Sequence, residues 1–591
     1  MWSATERGFV IKIFETRHAH YLKIKQQLET THRQLVNLRG ALALSAIILA
    51  FVLSPWFWWV ILLSLFPFSW VVYRHLKNRQ ALALITAKIH INDKQRSRLA
   101  GTWTSFSDTG ASKASHKSHP YLIDLDILGE QSLYQYLSDT QTHYGKTFLR
   151  DMLLQKTDLS TLKDRQLAIA ELVQNLEFCE ALKALGHLGT GLDHDPEPLI
   201  QFLETKERMF RPVRYAFALT LLLLSLPLFH MLWPNPFWLW GFLGGIVAQG
   251  GLFVAYLGKT SKILGLLGGF HRSLKQLQPM ISLIQTQTFH APLNKQLQGF
   301  FKETQDPLVF LKALNRIETA ISFRRSGTFF LVLNLVLLWD INCVLSLEEL
   351  KAQGSIRKWL RTLGMFEALA SLANVAQLHP HWALPIFTDD LALEMKDLAH
   401  PLLTQPVTND YTQKGLTIIT GSNMSGKTTF LRAIGTNLVL AYAGAVVSAS
   451  HFKVPLMDIY TCMRTVDNLQ ENMSTFYAEL TRLKTIIDRG KTREPLLFLV
   501  DEIFRGTNSE DRITGAKQVL YQLNKPWILG MLTTHDLAIC EVRDDKRPFH
   551  NHHFKEYYED NQLRFDYQVR EGISTTRNAK HLMELVGIKT K

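Results

Sequence analysis

Eight consecutive residues, Gly421-Ser422-Asn423-Met424-Ser425-Gly426-Lys427-Thr428, concentrate the chemistry of this sequence. The spacing GxxxxGK[ST] lets backbone N–H groups wrap a phosphate chain, sets Lys427 to reach β- and γ-phosphates, and gives Thr428 a hydroxyl for Mg2+. The apolar run LTIIT comes before it, and Thr429 opens the helical stretch TFLRAIGTNLVLAYAGAVV after it. A strand therefore enters the loop and a helix leaves it, with the helix N-terminus facing the anion. Some seventy residues on, LLFLVDE ends a second apolar strand on Asp501 and Glu502. Asp501 is suited to hold the metal through water, and Glu502 to polarise an attacking water. An acidic pair at a strand end also occurs as a solvated turn. A third strand, LGMLTTHD, ends near His535, which could sense a γ-phosphate or serve a purely structural role. The expected ligands are ATP and Mg2+.

Those strands need a scaffold. From about residue 401 short apolar runs alternate with helical stretches, the pattern of a parallel sheet covered by helices. Residues 120–214 and 259–400 show mainly helical periodicity. The stretch GTWTSFSDTGASKASHKSH, 101–119, reads as a linker. Upstream, the 34 residues between Arg39 and Arg74 contain no Asp, Glu, Lys or Arg. A single helix of that length would run about 51 Å, too long for a hydrocarbon core of about 30 Å, so two spans reversing near Pro55 are expected. A second uncharged run, 215–258, has His230 as its only side chain that titrates near neutral pH and a WPNP turn at its middle. Buried core hairpins are the alternative to two membrane hairpins. A third apolar run, from Thr328 to Asp340, has the length of a buried core helix.

Composition narrows the classes. At 591 residues with 47% hydrophobic and 20% charged side chains, neither disorder nor a fibre fits. The four cysteines show no CxxC spacing, so a zinc site or disulfide framework is not indicated and a reducing compartment is. No cleavable signal peptide is visible. The net charge of +13 is concentrated at the N-terminus: the first 100 residues carry 14 Lys/Arg against 4 Asp/Glu, leaving +3 over the other 491. Basic residues flank both uncharged runs, which places their ends, and the C-terminal third, in the cytoplasm beneath a cell inner membrane. The charge is a footprint for anionic lipid more than for nucleic acid.

Taken together, TIITGSNMSGKTTFLRAIGTNLVLAYAGAVVSA, FLVDEIFRGTNSEDR and TTHD resemble the ATPase domain of the MutS family of DNA mismatch-repair proteins. Asn423 and Met424 within the loop, the AYAGAVVSA helix end and RGT after the acidic pair carry that resemblance beyond the generic motif. Arg464, Asp467, Asn468, the MSTF run 473–476 and Glu479 match the family's signature segment, which implies that Ser474 reaches the partner's nucleotide across a homodimer. FDYQVREGISTTRNAKHLMELVGI matches the C-terminal pattern and puts Tyr567 where an aromatic residue stacks on adenine, although an ordinary strand tyrosine fits as well. A weaker similarity over 123–172 implies the opening of the family's helical core and lever region. No internal repeat is apparent.

The resemblance has gaps. Mismatch-reading members carry an N-terminal domain with a Phe-x-Glu wedge, whereas here a membrane hairpin occupies that end. Phe178-Cys179-Glu180, Phe301-Lys302-Glu303 and Phe554-Lys555-Glu556 fit the tripeptide but not its setting. Phe504 replaces a usual glycine, and Glu471-Asn472 replace glycine-containing residues before STF. The expected organisation is multidomain: helical transmembrane hairpins, a mainly α core and lever, and a C-terminal α/β phosphate-loop ATPase domain of the ABC type. Its segments are a basic N-terminal part with a hairpin at about 40–73 (1–100), the linker (101–119), a helical region interrupted by a second hairpin at about 215–258 (120–400), and the ATPase domain (401–591). The expected activity is ATP hydrolysis in a homodimer anchored to membrane lipid and coupled to DNA. The competing readings are a tethered switch acting on protein partners without DNA, and a half-transporter, which lacks its LSGGQ-like signature here.

Overall fold

The computed structural model describes residues 4–111, 119–189, 191–205, 216–268, 271–303, 306–325, 327–351, 355–422, 424–464, 475–504, 508–559 and 562–573. Among the described residues helices dominate up to Leu378, and ten strands follow. The mainly helical part and the α/β C-terminal part agree with the sequence reading.

Two helices of 49 and 44 residues, Ala4–Val52 and Phe57–Ala100, form a long antiparallel pair that reverses at Ser54–Trp56. They are much longer than the uncharged run, because polar sequence on both sides continues the helical pattern. At the reversal Ile47, Ile48, Phe51, Trp58, Leu63 and Phe66 are exposed. The far ends dock on the helical core. Glu180 accepts hydrogen bonds from Arg17, from Tyr21 Oη at 2.8 Å and from Asn92 Nδ2. Asp139 is fully buried, yet Arg98 at 3.0 Å, Lys94 at 2.6 Å and Lys183 outweigh that burial and hold its carboxyl far below the usual range. Breaking one partner of such a buried network leaves an uncompensated charge.

The core is built around Ile356–Leu378, whose residues are almost all buried. It packs so closely on His143–Leu154 that a Cβ on Gly364 would lie 2.6 Å from Gly145 N. Glu367 accepts from Gln141 N (3.2 Å) and Thr142 N (3.1 Å) at the same crossing. Out of this core rises a second pair, Ala216–Leu232 and Pro236–Gly268, joined at the WPNP turn.

Among the described residues three helices are long and apolar enough to cross a membrane, Gly8–Val52, Phe57–Ala100 and Pro236–Leu267; Leu223–Leu232 is a shorter apolar helix. The third apolar run departs from expectation. Thr328–Leu337 is not a core helix: Phe329, Leu331 and Val332 are exposed, and Asn334 is its buried residue. It meets Trp339–Glu349 at a 68° bend. Length alone could not separate a buried helix from one leaning on the outside of a hairpin.

The strands are β1 (Ile386–Phe387), β2 (Leu393–Leu398), β3 (Asn409–Gln413), β4 (Leu416–Thr420), β5 (His451–Val454), β6 (Asp458–Cys462), β7 (Leu496–Asp501), β8 (Ile528–Thr534), β9 (His550–Glu559) and β10 (Gln562–Glu571). The main sheet has the order β10-β9-β4-β8-β7-β6, parallel except for β10. β4, β7 and β8 are buried along their whole length, as strands covered by helices on both faces must be. A smaller mixed sheet, β1-β5-β2-β3, lies beside it; its alternating burial marks one solvated face.

Candidate functional site

The central strands β4, β7 and β8 deliver their C-terminal ends to one edge of the main sheet, where ligands bind in open α/β folds. β4 ends at Thr420, and the chain turns through Gly421–Gly426 into the helix Lys427–Ala443. Two glycines are needed there. Gly426 has φ +100°, and a Cβ would come 3.0 Å from Cδ1 of Tyr567. A Cβ on Gly421 would lie 2.8 Å from Ser425 Oγ and 3.2 Å from the Phe554 carbonyl. Met424 also has positive φ and is exposed, whereas Ser425 is buried. Asn423 lies outside the described residues.

Lys427 is buried, and its ammonium donates to the carbonyls of Gly421 (2.6 Å) and Ser422 (2.7 Å), so it lies across the mouth of its own loop. Thr428 Oγ1 donates to Asp501 Oδ2 at 2.8 Å. Thr533 Oγ1 donates to the other carboxylate oxygen. Asp501 is thus oriented from both sides, by the phosphate-loop helix and by β8. Thr429 follows Thr428 in the first turn of the same helix. Glu502 sits just past β7 at φ +50°, its N–H donating to the Thr533 carbonyl at 3.1 Å. His535, half exposed, places Nδ1 3.5 Å from Glu502 Oε1. Four residues from the ends of two strands and one helix therefore converge: Thr428, Asp501, Glu502 and His535.

Tyr567 takes positive φ in β10 beside a register shift, its ring against Gly426 and its carbonyl accepting from Asn409 Nδ2 at 3.0 Å. Its ring is half exposed at the side of the loop. Ser474 lies outside the described residues, as do Asp467, Asn468 and the 505–507 RGT. Phe504, at φ +59°, is held by its N–H donating to Glu479 Oε1, and its ring packs against Phe476 and Gly515. A glycine meets that backbone without strain; the phenylalanine is stabilised by filling the space between Thr475–Gly490 and Ser509–Leu523.

Sequence reasoning missed several groups. Thr533 lies inside the TTHD motif, but nothing in the motif says that it faces Asp501. Glu556 accepts from Ser422 Oγ, so the unpromising Phe554-Lys555-Glu556 lies along the phosphate loop. Only the β4–β9 register brings it there. Asp124 and Asp126, at the start of the helical region, clamp the α/β C-terminal part. Asp124 is buried and accepts from Thr461 Oγ1 (2.8 Å), Met463 N (3.1 Å), Arg464 N (3.0 Å) and Arg482. Asp126 pairs with Arg464 at 2.6 Å and with Arg432 of the phosphate-loop helix at 2.7 Å. His400, buried near Arg432, has its imidazole pushed down to about 4, first by burial and then by that guanidinium.

Residues 417–590 match the family model for MutS domain V. In its C-terminal part the chain is a divergent relative of the MutS family. It is similar to the DNA mismatch repair protein MutS of Persephonella marina, 28% identical over 244 residues, which is 40% of this chain and 28% of that protein. The MutS of Methanosarcina mazei is 27% identical over 258 residues, 41% and 28% of the two chains. The mouse MutS protein homolog 4 is 31% identical over 233 residues, 37% and 24%. The matched segment thus spans about a quarter of these relatives, and the likeness to the MutS family rests on the C-terminal part of the chain.

Proposed function

We propose that the chain is a membrane-anchored MutS-like ATPase that hydrolyses ATP as a homodimer and couples the cycle to DNA. The Thr428–Asp501 hydrogen bond carries this reading, because it brings a phosphate-loop hydroxyl and a strand-end carboxylate into contact beside Glu502. A hydroxyl and a carboxylate are hard oxygen donors of the kind Mg2+ takes. Thr428 would hold the ion directly and Asp501 through water. The bound ion would neutralise charge developing on the β- and γ-phosphates.

The chain's own residues do the rest. The N–H groups of Gly421–Thr429, including those of Ser422, Asn423, Met424, Ser425 and Gly426, cradle the phosphates, with the positive helix end behind them. Lys427 exchanges its two loop carbonyls for phosphate oxygens. Glu502 orients a water for in-line attack on the γ-phosphorus and accepts its proton as the bond to the bridging oxygen breaks, releasing ADP and phosphate. His535 reports the γ-phosphate to Glu502. Tyr567 stacks on adenine from the side of the loop, and Ser474 of each protomer completes the site of the other.

The exposed apolar ends of both helical pairs, Trp58, Trp59 and Phe66 on the first and Trp233, Phe237 and Trp240 on the second, support anchoring of two hairpins in lipid. This makes the protein a multi-pass membrane protein with its ATPase domain in the cytoplasm. The relatives, DNA mismatch repair proteins by name, support DNA as partner. The test compares ATP hydrolysis by the full chain in lipid vesicles without DNA and with duplex, mismatched and branched DNA, together with DNA retention at low and high salt. Stimulation by one form, with salt-sensitive retention, is expected. Equal rates and no retention at low salt would replace DNA by a protein partner.

A further inference from the structure

Between the second hairpin and the core helix Ile356–Leu378, the chain makes one more apolar excursion. We propose that Thr328–Leu337 dips into the bilayer beside that hairpin and returns, as a re-entrant element, to the side it left. The inference rests on the membrane reading above.

The helix climbs antiparallel to Pro236–Gly268. At its foot Arg324 donates to Ser261 Oγ at 2.7 Å. Higher up, the rings of Phe330 and Phe253 lie 5.8 Å apart, and a Cβ on Gly250 would meet Leu335 at 3.2 Å. From the level of Ser261 to that of Gln249 is about 18 Å of helix, little more than half of a hydrocarbon core of about 30 Å. On the side turned away from the hairpin, Phe329, Leu331 and Val332 are exposed. At Leu338, with φ 45° and ψ 45°, the helix breaks and the chain bends by 68° into Trp339–Glu349. Asp340, two residues past the break, lies 3.3 Å from Arg324, which ties the start of the second helix to the foot of the first.

The break is furnished as a helix end without water must be. The last four carbonyls of any helix lack intrahelical partners, and in hydrocarbon solvent supplies none. Here protein donors reach all four. The Asn334 carbonyl accepts from Leu338 N at 3.1 Å. Gln249, with its amide nitrogen turned to the break, donates to the carbonyls of Leu335 (2.6 Å) and Val336 (3.2 Å). Asn342 Nδ2 donates to the Leu337 carbonyl at 2.6 Å. On the far side of the break Asn334 Oδ1 accepts from Asp340 N at 3.0 Å.

Connectivity excludes a full crossing. Gln141, Thr142 and Gly145, before the second hairpin, pack with Gly364 and Glu367, after the excursion, in one core. The chain between them must therefore cross the bilayer an even number of times. The hairpin takes two, and helices of 10 and 11 residues, about 15 Å each, cannot add two more.

The test uses the full chain in phosphatidylcholine–phosphatidylglycerol vesicles, with single cysteines at exposed Val332, Ile48, Leu167 and Glu349. Its four native thiols are buried, and the parent chain serves as the labelling blank. An environment-sensitive fluorophore at Val332→Cys should lose as large a fraction of its emission to nitroxide lipids as one at Ile48→Cys, while one at Leu167→Cys on the core loses none. A membrane-impermeant maleimide should reach Glu349→Cys from the same side as Leu167→Cys. Quenching at Ile48 without quenching at Val332 overturns the inference and leaves the anchoring intact. Reaction of Glu349→Cys from the opposite side overturns it as well. Absence of quenching at both Ile48 and Val332 removes the anchoring and the inference together.

Discussion

At the scale of single residues, the account turns on which side chains meet. The motif spacing made the phosphate loop, Asp501 and Glu502 legible, because a strand–loop–helix unit fixes them locally. Thr533 and Glu556 were not legible, since they reach the site through the β7–β8 and β4–β9 registers. Gly426→Ala is expected to cost nucleotide binding, as an alanine there meets Tyr567 at 3.0 Å in a backbone region that L-residues avoid. Nucleotide titration of the variant against the parent checks it. In the core, burial pushes the Glu367 carboxyl up to about 7, against donors at Thr142 and Gln141 that favour its charged form. The folded state therefore binds that proton more tightly than the unfolded chain does. Its contribution is fully present below the ordinary carboxyl value and is lost as pH rises towards about 7, by roughly 3 kcal/mol if the shift is complete. Denaturant midpoints measured across that window should fall with pH in the parent and stay flat in Glu367→Gln.

Secondary structure raises a different question: what holds the helices and strands of separate regions together. The uncharged runs announced hairpins because charge is so costly in hydrocarbon, and the reversals at Ser54–Trp56 and at the WPNP turn follow from their prolines. The exposed helix Thr328–Leu337 was not foreseen, since a 10-residue apolar helix carries no mark of what it packs against. The smaller sheet was equally hidden, its short strands being assembled from residues 386 to 454. The loop at Asp124 and Asp126 is the joint between helical region and ATPase domain. It touches the phosphate-loop helix through Arg432 and the entry to the signature segment through Arg464. Asp124→Ala strands four donors and is expected to cost about 3 kcal/mol of stability. The ATPase domain should then be cut by protease at lower denaturant while the stalk stays protected; equal protection of both would show that the joint carries no load.

For the whole molecule, three parts are linked in series. The long helical pair is fastened to the core by Glu180 and Asp139, and the core to the ATPase domain by Asp124 and Asp126. A movement of the helix Lys427–Ala443 reaches the helical core through the Arg432–Asp126 pair, and the core meets the long helical pair at Asp139 and Glu180. The proposed homodimer adds a demand on composition of sites. Protomers carrying Ser474→Ala and protomers carrying Glu502→Gln, inactive separately, should regain hydrolysis when mixed, because one site of each mixed dimer then has both residues. No recovery would place the serine outside the partner's site. Beneath all of this lies the claim that the Thr428–Asp501–Glu502 centre hydrolyses ATP. It is tested most directly by phosphate release from the full chain in lipid vesicles, parent against Glu502→Gln, with nucleotide binding measured in parallel. The account requires a rate reduced by about 100-fold or more with binding retained. An undiminished rate in the variant would contradict it.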